Sequence, residues 1–134
     1  MGMYGEAAIR ATRYVTSGAG LCPRTGWDQA IAELSTSDSS RKKGCPRNAF
    51  LGLCEAGRVV GIKAGKYGAP DHNKNGQYAL DAHQILKSTP TLSKNKNALW
   101  AKAAPPNKRE NQQMDVVTAL WNKGLLRTTE VVCI

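Results

Sequence analysis

Apolar residues near the start of the chain recur at the spacing of one helix face: Tyr4, Ala7, Ala8, Ala11, Tyr14 and Val15. Residues three and four apart stack on the same side of a helix, so the pattern predicts a helix over 4–16. Ser17-Gly18-Ala19-Gly20 ends it. Thr25 and Asp28 have the T-x-x-D spacing of a capping box and predict the opening of a second helix. The Thr25 hydroxyl would accept from the Asp28 amide, and the carboxylate suits the positive end of the helix. Trp27, Ala30, Ile31 and Leu34 then share a face. Residues 35–44 are polar throughout and predict a flexible linker too short to separate domains.

A third helix opens near Pro46, where a missing N–H costs nothing. Ala49, Phe50, Leu53 and Cys54 form its stripe, and Gly57 fits the left-handed residue after it. Val59, Val60 and Ile62 predict a short extended piece. Residues 63–77 show no apolar periodicity and predict a long loop, a feature that in compact domains is often functional. Tyr78, Ala79, Ala82, Ile85 and Leu86 predict a fourth helix ending before Pro90, and 97–104 a short fifth stopped by Pro105-Pro106. Asn111 predicts the cap of a sixth, with Met114, Val117, Leu120 and Trp121 inward and Gly124 beyond its end. A short strand is expected from Leu125 on. Leu53 to Gly57 and Leu120 to Gly124 both read Leu-x-x-x-Gly; two helices ending in the same glycine cap explain this without a duplicated unit. The sum is a mainly α, compact single-domain bundle of about five or six short helices over 1–134, with little β structure.

Composition narrows this little. A chain of 134 residues with 41% hydrophobic content can bury one core. No apolar run reaches the length of a membrane span, about 20 residues. Met1 to Arg10 carries an acid and glycines where an export signal would be apolar. A cytoplasmic, bacterial-type protein is expected, with no membrane partner. Cys22, Cys45, Cys54 and Cys133 form no C-x-x-C pair. Buried, reduced thiols are expected, with a Cys22–Cys45 or Cys45–Cys54 contact left open. Cys133 stands second from the end, so no prenylation box is present.

Charge changes the picture more. The formal net charge is +9, and residues 41–109 hold fourteen of the nineteen Lys and Arg against only Glu55, Asp71 and Asp81. Both ends of the chain are close to neutral. A basic block between neutral ends predicts a surface that meets something anionic, a nucleic acid or an acidic protein. The block has three parts: the 41–43 cluster, the 63–77 loop and an acid-free stretch from Lys87 to Arg109. It makes one surface only if the three meet in space. The candidate polyanion contacts are Arg41, Lys42, Lys43, Arg47, Lys63, Lys66, Tyr67, Lys74, Lys94 and Lys96. Cations attract phosphates, and Tyr67 or Trp100 would stack on bases.

No catalytic signature emerges, and no catalytic residue, metal or cofactor is assigned. Gly61 to Tyr67 falls short of a Walker loop: three residues separate the glycines, and Tyr67 replaces the hydroxyl residue. Gly65, Lys66 and Gly68 could still offer amides and a cation to a phosphate. His72 and His83 are expected to be structural or solvated. A Cys54–His72 nucleophile pair has no local support. Val116 to Arg127 has the helix, turn and strand order of a winged-helix recognition element, yet few cations.

Three stretches add a resemblance. Cys45 to Glu55 (CPRNAFLGLCE), Gln113 to Trp121 (QMDVVTALW) and Tyr4 to Ala8 (YGEAA) resemble blocks of a small bacterial protein family of unknown function. The resemblance implies a stand-alone domain and no particular activity. The leading expectation is a non-enzymatic binding protein with a cationic surface. A protein-interaction module, an adaptor or inhibitor using an apolar patch near Phe50, Trp100 or Trp121, is the alternative. A small enzyme or a winged-helix regulator ranks below both.

Overall fold

The computed structural model describes residues 2–128. Among them run α1 (Met3–Thr16), α2 (Pro23–Leu34), α3 (Asp38–Lys42), α4 (Gly44–Glu55), α5 (Lys74–Ser88), a 3-10 turn (Pro90–Lys94), α6 (Lys96–Ala103) and α7 (Gln113–Asn122). The mainly α expectation is met. No helix of the described residues is long and apolar enough to cross a membrane.

The last helix is the hub. Gln113 to Leu120 are eight consecutive buried residues. Met114, Val116, Val117, Ala119 and Leu120 point to several sides, so the helix sits inside, while Asp115, Thr118 and Asn122 border a polar recess. α7 packs on α1, α4, α5 and α6. That placement counts against the winged-helix reading, because a recognition helix must present its side chains to a groove and this one exposes Asn122 at its end, with Trp121 half-buried. α1 and α2 form an antiparallel pair in which a Cβ on Gly26 would stand 3.1 Å from the Ala11 carbonyl oxygen. Trp27 of α2 stacks on Phe50 of α4 with ring centroids 5.5 Å apart. One continuous core includes Ile9, Trp27, Ile31, Phe50, Leu53, Leu86, Leu99 and Leu120.

Helix starts differ from the sequence expectation, each for a local reason. α2 begins two residues before Thr25, because Pro23 occupies the first turn with Cys22 as cap. No Thr25–Asp28 box forms: the Thr25 hydroxyl bonds back to the Cys22 carbonyl at 3.1 Å, and Asp28 pairs with Arg24 at 3.3 Å. Residues 35–44 contain α3, whose start is capped by the Ser37 hydroxyl on the Ser40 amide. α5 begins at Lys74, inside the expected loop, with Asn73 capping Gly76. Its first turn lacks an apolar stripe because Gly76 meets Gly52 of α4 backbone to backbone. α7 is capped by Gln112 in a left-handed conformation (φ 69°), not by Asn111, and the Glu110 carboxylate accepts from the Met114 amide at 3.0 Å.

Among the described residues no strand forms. Val59 and Leu126 make a single antiparallel bridge. The two Leu-x-x-x-Gly segments do end helices in the same way: Gly57 and Gly124 have φ of 74° and 71°. Arg58 N–H donates to the Leu53 carbonyl and Leu125 N–H to the Leu120 carbonyl, both at 2.9 Å. This six-residue back-bond is the Schellman closure, open to glycine without a Cβ penalty. The two exits then pair: Val60 N–H donates to Leu125 O at 2.8 Å and Arg127 N–H to Arg58 O at 3.0 Å.

Candidate anion-binding recess

Three helix starts converge on one recess of about 280 Å³. α4 contributes Cys45, its second residue. α5 contributes its first two residues, Lys74 and Asn75, and Tyr78 one turn on. α7 contributes Gln113, its first. The segment entering α7 supplies Lys108, Arg109 and Asn111. No carboxylate lines the recess. Each helix start carries a partial positive charge of about half a unit, so the local field adds to that of Lys74, Lys108 and Arg109.

The walls are held by hydrogen bonds. Gln113 is 3% exposed; its Nε2 donates to Asn75 Oδ1 at 2.8 Å and its Oε1 accepts from Asn111 N at 2.6 Å. One buried amide thus ties α5 to the segment before α7. Asn111 Nδ2 lies 3.5 Å from Cys45 Sγ, a weak link to α4. Trp100 Nε1 donates to the Lys108 carbonyl at 3.0 Å, and the Tyr78 ring meets Trp100 edge-on at 5.2 Å. Trp100 is 8% exposed and serves as an anchor for the Lys108 segment rather than a stacking platform. Two acids stand nearby: the Glu110 carboxylate caps the start of α7 and offsets the positive charge of that helix end, and Asp115 pairs with Lys96.

The ten residues named from sequence do not gather here; Lys74 alone of them lines the recess. Arg41 closes the end of α2, with Nε to the Ser35 carbonyl at 2.8 Å and a longer bond to Ala32 O. Lys42 is exposed on α3. Lys43 donates to Gln112 Oε1 and lies over the Tyr4 ring at 5.6 Å. Arg47 is half-buried; burial first, then the charge of Arg24, lowers its pKa. Lys94 and Lys96 border a separate recess of about 400 Å³ that also holds Asp115. Lys63 and Lys66 are exposed on the glycine-rich loop, and Lys66 borders another recess with Glu55.

That loop is already satisfied. Glu55 Oε2 accepts from Tyr67 N at 2.7 Å and Ala69 N at 3.2 Å, and Glu55 O accepts from Gly65 N at 3.1 Å. Of the amides that sequence offered to a phosphate, that of Gly65 is taken by the Glu55 carbonyl, while the Glu55 carboxylate holds the neighbouring Tyr67 and Ala69 amides. Tyr67 donates its hydroxyl to the Lys63 carbonyl.

Sequence reasoning missed Lys108, Arg109, Asn75, Asn111 and Gln113 as a group. Lys108 and Arg109 end the acid-free stretch, but only the fold brings Lys74 to them. The Cys54–His72 pair is excluded as a nucleophile. Cys54 is fully buried, and burial pushes its thiol well above the ordinary value, while His72 is exposed. Of the residues named for an apolar patch, Phe50 and Trp100 are buried and Trp121 is half-buried; among the described residues the exposed large hydrophobic side chain is Val60. Cys22, Cys45 and Cys54 are free thiols, and Cys133 lies outside the described residues. Among the described residues no group of three His, Cys, Asp or Glu is placed to hold a metal.

No curated protein and no solved structure matches this chain. A family model does match, over residues 1–127, nearly the whole chain and all three blocks that carried the resemblance. The chain belongs to DUF6979, a family of unknown function.

Proposed function

We propose that this protein is a non-enzymatic binding protein that takes a nucleic acid, or another polyanion, at the recess between the starts of α4, α5 and α7. The observation that carries this reading is the lining: Lys74, Lys108 and Arg109 with three helix starts and no carboxylate. Backbone amides and cations at helix starts favour phosphates. Exposed Lys63, Lys66 and Lys42 extend the positive field and speed encounter rather than fix a ligand.

An electrophoretic shift assay with a single-stranded oligonucleotide across a salt series tests it. Micromolar binding that weakens as salt rises supports the proposal, and no binding at low salt sinks it. The double substitution Lys108→Ala/Arg109→Ala removes two exposed cations and leaves the Lys108 carbonyl for Trp100. It is expected to weaken binding and to lower the slope of log K against log salt by about 1.4.

A further inference from the structure

We infer that the recess is a site for the terminal phosphate monoester of a nucleic-acid strand. The inference rests on the polyanion reading above and names which part of the polyanion enters. Three features carry it: size, charge and donor placement.

The recess measures about 280 Å³, at the bottom of the range for small-ligand pockets, about 300–1,000 Å³. That is room for about one phosphate with part of its nucleotide, the rest of a strand lying outside the recess. An internal phosphodiester carries a single negative charge on two free oxygens. A terminal monoester carries about −1.5 to −2 at pH 7 and presents three acceptor oxygens.

The recess is lined by three cations and no carboxylate, and the nearest acid along the chain, Glu110, caps α7. Lys74, Lys108 and Arg109 line it from two separate segments, so an anion there can draw on cations from both. Glu110 and Asp115 are committed to the Met114 amide and to Lys96. Asn75 uses Oδ1 to accept from Gln113, which fixes the side chain and leaves its Nδ2 donors for a ligand oxygen. The Tyr78 ring, held edge-on to Trp100, gives a flat wall for the sugar or base of the terminal nucleotide. A doubly charged, three-oxygen group fits this set of donors better than a diester.

Fluorescence anisotropy on one short single strand prepared in three forms tests it: 5′-phosphate, 3′-phosphate, and hydroxyl at both ends. One phosphorylated form is expected to bind about tenfold more tightly than the hydroxyl form, the effect of one added charge-assisted contact. The preference should vanish in Lys108→Ala/Arg109→Ala, and also in Asn75→Asp, which places a carboxylate in the recess. Far-UV circular dichroism confirms that each variant is folded. Equal binding of all three strands overturns the inference while leaving the polyanion reading intact. No binding of any strand at low salt overturns both.

Discussion

His83 shows what a single residue decides here. Its ring is fully enclosed, yet both nitrogens are bonded: Arg58 Nη1 lies 3.1 Å from Nδ1, and Nε2 lies 2.7 Å from the Arg127 carbonyl. A guanidinium only donates and a carbonyl only accepts, so Nδ1 accepts and Nε2 carries the proton. The folded ring is therefore neutral. Burial lowers its pKa most, the Arg127 carbonyl pulls it partly back, and Arg58 and Lys87 lower it further. An unfolded histidine protonates near pH 6.5. The contribution of His83 to stability is thus whole above about pH 6.5 and drains away as pH falls toward the folded value. Urea unfolding from pH 8 to pH 5 should show His83→Gln less stable than wild type by about 2 kcal/mol at pH 8. The gap should narrow as the solution becomes acidic. A gap that stays constant would show that the ring titrates alike in both states. Sequence placed His83 on a helix with a structural role. Its partners, 25 and 44 positions away, were invisible.

Helix ends and helix crossings belong to the next scale. The glycine exits at Gly57 and Gly124 were legible because a left-handed backbone favours one residue type, and the order of residues states it. The α4–α5 crossing was not. A Cβ on Gly52 would stand 2.4 Å from Gly76 Cα, so the two backbones touch where side chains would otherwise separate them. Gly52→Ala must push the helices apart and is expected to cost at least about 3 kcal/mol. Gly124→Ala meets no atom within 4 Å and strains only its own φ of +71°. It should cost about 1 kcal/mol. Urea midpoints of the two variants check the ranking, and a Gly124→Ala as damaging as Gly52→Ala would refute the crossing argument. The same crossing explains why α5 starts earlier than periodicity indicated. Its first turn packs through the absence of a side chain, which no count of apolar positions detects. α3 was missed for the opposite reason: none of its five residues is apolar or buried, so it has no stripe.

Across the whole molecule, the +9 chain distributes its cations over separate surroundings, and one recess is lined by three of them and no carboxylate. A bound anion should therefore stabilise the native state. At equal ionic strength phosphate should raise the thermal midpoint above that in chloride, by about 2.7 kcal/mol of stability at a hundredfold excess over Kd. Phosphate also stabilises proteins generally, so the decisive comparison is Lys108→Ala/Arg109→Ala, in which the recess-specific part of the increment should disappear. An equal increment in the variant would place the anion elsewhere. The sequence by itself determined the helical class, most of the buried stripe residues, the two glycine exits and the excess of charge in 41–109. Each of these is a local or summed property: a period, a backbone preference, a count. Only the tertiary structure decided which cations face solvent, which bond to a helix end as Arg41 does, and which meet. Lys74 and Lys108 are 34 positions apart, and nothing in chain order brings them together. The burial of α7 does, because a helix buried over eight consecutive residues must be surrounded by its neighbours. Packing α4 and α5 on it sets their starts beside its own.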